Sequence, residues 1–137
     1  MSRAGLLAAA LLLACGGPPP APTWAPADQP AVTVPLVVAW RAARPLVEVT
    51  LNGQGPYLFV VNTGTVGGAI SRPLAASLKL PMVGDPARGA RRIRADVGLA
   101  ELVLRDAQLA VVDLAEVGRL DERPVAGVLG THLLSQG

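Results

Sequence analysis

The sequence predicts a mainly β fold, a small closed antiparallel β domain with one or two short helices. Three observations carry that expectation. Beyond residue 31 the chain is a series of short β-branched and aliphatic runs separated by glycine and proline turns. Residues 45–51 alternate, with Val47, Val49 and Leu51 on one side and Glu48 and Thr50 on the other. Between that run and the next stands Asn52-Gly53-Gln54-Gly55, a hairpin signal, because asparagine and glycine tolerate the positive φ that such turns require.

Taken in order, residues 32–40 predict the first strand and 45–51 the second. Residues 57–61 return as a strand that is apolar throughout, which predicts burial on both faces and carries Asn62 into the centre of the molecule. Ser71 suits the N-cap of a short helix running through residues 73–78, with Pro73 tolerated in its first turn. Pro81 and Pro86 end that helix. Residues 93–99, 101–104 and 108–112 predict three further strands, and 125–129 a last buried one before Gly130. Residues 131–135 begin a final helical turn.

A chain of 137 residues has room for one domain after a targeting segment. Twelve basic against ten acidic residues leave a net charge of +2, without the large field of one sign that nucleic-acid binding exploits. No metal-ligand spacing, nucleotide signature or phosphate-cradling glycine loop is present, so no cofactor is expected. With a single cysteine, Cys15, an intramolecular disulfide is excluded.

The position of Cys15 is informative. Residues 1–14 have a basic start at Arg3, an apolar run from Leu6 to Leu13 and small residues before the cysteine, the layout of an export signal that is too short to span a bilayer. Leu12-Leu13-Ala14-Cys15 resembles the bacterial lipobox, whose cysteine becomes the lipidated first residue of the mature chain. Residues 15–30 are rich in proline and glycine and read as a lipid-anchored linker, which if extended reaches roughly 45 Å at about 3.1 Å per residue. The expected location is therefore the periplasmic side of the bacterial cell envelope, with the membrane as a partner through the N-terminal lipid. Ordinary cleavage that leaves Cys15 as a free thiol is the alternative.

At Asn62-Thr63-Gly64 a family resemblance enters. Residues 47–70, VEVTLNGQGPYLFVVNTGTVGGAI, resemble the first half of bacterial retropepsin-like aspartic proteases, relatives of the retroviral proteases: strand, glycine turn, apolar strand, then an Asp-Thr-Gly loop. Here the aspartate is Asn62. Residues 125–137, VAGVLGTHLLSQG, are similar to the family's later hydrophobic-Gly strand and helix. The resemblance makes residues 31–137 a retropepsin-like domain, without the family's usual C-terminal strand. It implies a homodimer in which two loops bring two carboxylates together to share one proton. One then activates water while the other protonates the peptide carbonyl. It also implies that Thr63 bonds across to the partner loop and that Gly64 permits the approach. Ala126 and His132 stand where the resemblance implies further aspartates.

An amide neither takes up a proton at working pH nor holds a negative charge. The leading expectation is therefore a lipoprotein of this family that is inactive as a homodimer, with peptide binding retained. Two alternatives stay open: an active aspartic endopeptidase formed with a subunit that supplies the aspartate, or a non-enzymatic envelope lipoprotein used for protein contacts. Asn62 also suits a plain turn. His132, the sole histidine, and Ser135 read as helix or solvent groups rather than catalytic ones. Arg88, Arg91, Arg92 and Arg94 read as a solvated hairpin where the resemblance would place a flap.

The lipobox gives the first testable expectation. Labelled fatty acid should incorporate into the wild-type protein in a bacterial host and fail to incorporate into Cys15→Ser. Equal labelling of both would remove the lipid anchor from the account.

Overall fold

The computed structural model describes residues 24–25, 32–40, 43–85, 87, 89, 91–114, 119–120 and 122–135. The expected signal peptide, Cys15, Arg88, Gly137 and the linker apart from Trp24 and Ala25 lie outside them. Eleven strands and two short helices are present among the described residues. The strands are β1 (Trp24–Ala25), β2 (Leu36–Ala39), β3 (Arg44–Leu51), β4 (Gln54–Asn62), β5 (Gly68–Ser71), β6 (Met82–Val83), β7 (Arg92–Leu99), β8 (Leu102–Val112), β9 (Arg119–Leu120), β10 (Arg123–Pro124) and β11 (Gly127–Gly130). The helices are α1 (Arg72–Ser77) and α2 (Thr131–Leu134).

Six strands close on themselves in the order β8-β5-β11-β4-β3-β7, the ring being completed by the β7–β8 ladder. The barrel is mixed rather than purely antiparallel, because β11 runs parallel to β4 and β5 parallel to β8. Three short strands extend edges that the barrel leaves open. β2 pairs with the start of β3, β6 with the start of β7, and β1 with β8 at Val103 and Leu104. Thus Trp24 and Ala25, inside the stretch read as a linker, belong to the sheet.

The hairpin forms where expected, with Asn52 at φ 49 and Gly53 at φ 77. Beyond it β4 is apolar on both faces, and both are used. Phe59 points into the main core with Leu51, Ile70, Leu109 and Leu129, whereas Val60 packs in a second cluster with Ala39, Leu46 and Val125. Phe59 is fully buried and has no room to move, since a Cβ added at Gly127 would fall on its ring. Truncating a side chain so placed costs about 3–5 kcal/mol. This core fixes the level at which β4 ends and hence where Asn62 stands.

Two sequence expectations need correction. Residues 101–104 and 108–112 are not separate strands but parts of β8. Arg105 and Asp106 suggest a turn, but Asp106 takes φ 54 within the strand and the ladder to β7 shifts register between Ala95 and Val97. Asp96 holds that irregularity together. Its Oδ1 accepts the Asp106 N–H at 2.9 Å and its Oδ2 the Arg105 guanidinium at 2.8 Å, while its own N–H donates to Asn52 Oδ1 at 2.8 Å. Ser71 stands at the N-cap of α1 but makes no side-chain capping bond. It is the last residue of β5, and its N–H donates to the Ala126 carbonyl at 2.8 Å.

The Asp106 N–H holds the Asp96 carboxyl below its usual value of 3.8; burial opposes this, and the hydrogen bond and charge of the Arg105 guanidinium add to the lowering. A depressed folded-state value means stability that is present above the unfolded value and lost as pH falls through the folded one. Denaturant titrations should therefore show the wild type losing stability relative to Asp96→Asn as the pH is lowered from 4 towards 2.5. Parallel curves across that window would show that Asp96 does not couple protonation to folding.

Candidate functional site

Asn62 is the last residue of β4 and is half-buried, with β11 alongside it: Gly130 is its partner in the parallel ladder. The chain then turns sharply. The Thr65 N–H donates to the Asn62 carbonyl at 3.3 Å, the Thr65 hydroxyl to the same oxygen at 3.1 Å, and the Gly64 N–H to Asn62 Oδ1 at 3.0 Å. This is an Asx-type turn, for which an asparagine or aspartate at the first position supplies the oxygen. The turn therefore requires an oxygen at position 62 but not an amide. Gly64 has no positive φ, and a Cβ there would lie 3.2 Å from Asn62 Oδ1, a tight contact that would press on the turn's acceptor. Thr63 is exposed, and its hydroxyl has no partner among the described residues.

The far side of the loop is tied to helix α2. The Thr131 N–H and hydroxyl both donate to the Thr65 carbonyl, at 2.8 and 3.0 Å, and the His132 N–H donates to the Val66 carbonyl at 2.8 Å. A helix start leaves its first N–H groups without intrahelical partners, and Gly130 at the N-cap has no side chain to offer them. The loop carbonyls do so instead. Gly130 is required for this contact: a Cβ there would collide with the Gly67 carbonyl oxygen and lie 2.6 and 2.8 Å from those of Thr65 and Val66. Leu133 faces inward and is buried against the core, which sets the helix in place.

Of the residues singled out in the sequence, Asn62, Thr63 and Gly64 form one turn, and His132 and Ser135 belong to the helix that braces it. The Ser135 hydroxyl donates to the His132 carbonyl at 3.2 Å, and the Ser135 N–H to that of Thr131 at 2.9 Å. Ala126 lies at the other end of β11, its N–H donating to the Leu58 carbonyl at 2.8 Å. There it lines a mostly apolar cavity of about 400 Å³ with Tyr57, Ser71, Pro73 and Pro124. That cavity is separated from Asn62 by the length of β11, so it is not part of the loop. Arg94 pairs with Asp106 at 3.1 Å. Thr65, Val66 and Thr131 were not legible as site residues, because their contribution is made mainly by backbone carbonyls and by a contact between segments 66 residues apart.

Among the described residues no cluster of three or more His, Cys, Asp or Glu could hold a metal, and no helix is long and apolar enough to cross a membrane.

A solved structure, the retropepsin-like aspartic protease from Rickettsia conorii, superimposes with a TM-score of 0.52 at 19% sequence identity, covering 85% of this chain and 82% of that one. The barrel has the retropepsin-like fold. Neither a protein-family model nor a curated protein matches the sequence. At this identity the likeness establishes architecture. Within the retropepsin-like fold of this chain, the turn at Asn62 and its brace on α2 are described by the contacts above.

Gly130→Ala should destabilise the protein by about 1–3 kcal/mol, because the added methyl meets backbone oxygens that cannot rotate away. Gly67→Ala, where nothing lies within 4 Å of the added atom, should stay within about 0.5 kcal/mol of wild type. Urea denaturation compares the two, and equal effects would show that the loop does not press on Gly130.

Proposed function

We propose that this chain is a retropepsin-like aspartic protease relative that holds peptides without hydrolysing them as a homodimer, because Asn62 occupies the position of the catalytic aspartate. The observation that supports this reading is the turn itself, a preorganised loop at the end of β4 in a retropepsin-like fold, whose first residue carries an amide rather than a carboxylate. Peptide hydrolysis at such a site requires one group to accept a proton from water and another to give one to the carbonyl. Two amides do neither. In this reading two loops meet across a two-fold axis. Thr63, exposed with an uncommitted hydroxyl, is placed to bond to the partner loop, and Val66, 73% exposed, gives the loop an apolar contact surface. In the same proposal residues 1–14 act as an export signal and a lipidated Cys15 holds the protein at the cell envelope.

A second reading follows from the turn's indifference to amide or acid. The same loop would fit beside an intact aspartate-bearing subunit and make half of an active pair.

The purified wild-type protein should show no pepstatin-sensitive cleavage of denatured protein between pH 3 and 6. Asn62→Asp keeps the Oδ1 acceptor, so the turn should persist and a trace of activity should appear. Recovery need not be large, since about 1 Å of misplacement costs on the order of 10²-fold. Strong acid-optimum cleavage by the wild type, unaltered by Asn62→Ala, would be fatal to the proposal. Activity that appears only when wild-type and Asn62→Asp subunits are mixed would favour the second reading.

A further inference from the structure

We infer that Asn62 is a hydrogen-bond donor for the terminal carboxylate of a bound peptide, which makes the loop a receptor for peptide C-termini. The inference rests on the reading above, in which two loops face each other over a peptide. Its physical basis is the orientation of one amide. A backbone N–H can only donate, so the atom of Asn62 that faces Gly64 at 3.0 Å must be the oxygen. The side-chain NH₂ is thereby turned away from the loop backbone.

That NH₂ has no partner among the described residues and is not sealed in the interior: among those residues no buried side-chain nitrogen or oxygen is left without a hydrogen bond. It is a donor held in a set direction and open to solvent. An aspartate in the same turn would present an acceptor there and, in a pair, would have to share a proton with its twin. The amide reverses the polarity of the position. It offers protons to a ligand and accepts none.

The surroundings suit an anion. β2, β4, β5, β11, α2 and the loop between β4 and β5 contain no aspartate or glutamate. On β3, the other neighbour of β4, Glu48 pairs with Leu58, and the exposed Arg44 lies two residues beyond Leu46, where the ladder to β4 ends at Val60. Across a two-fold axis the two NH₂ groups match a carboxylate, which has the same symmetry. Each of its oxygens takes one amide donor from one subunit, so one peptide is expected per two chains. Bonds from a donor to a charged acceptor are stronger than neutral ones, so a free C-terminus should be preferred over an amidated one by about tenfold.

Two pools of N-acetylated random octapeptides test this, identical except that one ends in a free carboxylate and the other in a carboxamide. Each is titrated into ¹⁵N-labelled protein at pH 7. Asn62 is one of only two asparagines, so its side-chain NH₂ signal is readily assigned with Asn62→Ala. The expected result is a shift of that signal by the free-acid pool at about one tenth of the concentration needed for the amide pool, saturating at one peptide per two chains. Asn62→Asp, which sets a carboxylate against the ligand's own, should abolish binding of the free-acid pool. Equal binding of both pools would overturn this inference and leave the peptide-holding reading intact. No binding of either pool would overturn both. Acetate alone shifting the signal at the peptide's concentration would replace the peptide receptor with a bare anion site and so also overturn it.

Discussion

The contact between the 62–67 loop and the start of α2 is the constraint around which the candidate site is built. It solves two problems at once. The helix begins without a capping side chain, and the loop leaves carbonyls that need donors; each supplies what the other lacks. Because a buried or half-buried backbone group without a partner is costly, neither segment can move without leaving the other unsatisfied. Gly130 sits under this contact, where a missing Cβ is filled by carbonyl oxygens. The loop is consequently held both by its own Asx turn and by the interior of the barrel, through Leu129 and Leu133.

The scaffold of the loop places little demand on the chemistry of residue 62. The turn uses only an oxygen at residue 62, and a carboxylate or an amide provides one. The core beneath it is ordinary close packing of Phe59, Leu51, Leu109 and Leu129, indifferent to what the loop presents. Asparagine and aspartate are therefore interchangeable for the architecture of this turn, while only the carboxylate can take up or share a proton.

Much of the barrel was legible in the sequence because its signals are local. The alternation in β3, the Asn52-Gly53 turn and the continuous apolar run of β4 each state their own conformation. The features that were not legible depend on distant partners. β8 looked like two strands because Arg105 and Asp106 resemble a turn, and only Asp96 on the neighbouring strand shows why the chain continues through them. The four-residue β5 was missed because Gly68 to Ser71 gain their strand character from β11 and β8 on either side. Likewise the brace on α2 is a backbone contact, and backbone carbonyls leave no mark in a sequence.

If Cys15 carries the proposed lipid, the strand at Trp24–Ala25 bears on the mechanics of that anchor. Trp24 pairs with Leu104 nine residues after the cysteine, so a fully extended tether from the lipid would reach at most about 28 Å at 3.1 Å per residue, against roughly 45 Å for one running to residue 30. The volume that a tethered body can explore scales as the cube of its reach, so for a lipid-anchored chain this pairing would confine the barrel to about a quarter of the space. Its effective concentration toward anything held on the same membrane rises about fourfold without any new contact. A two-residue strand would thus act as a knot in a rope, trading range for the frequency of encounters at the surface.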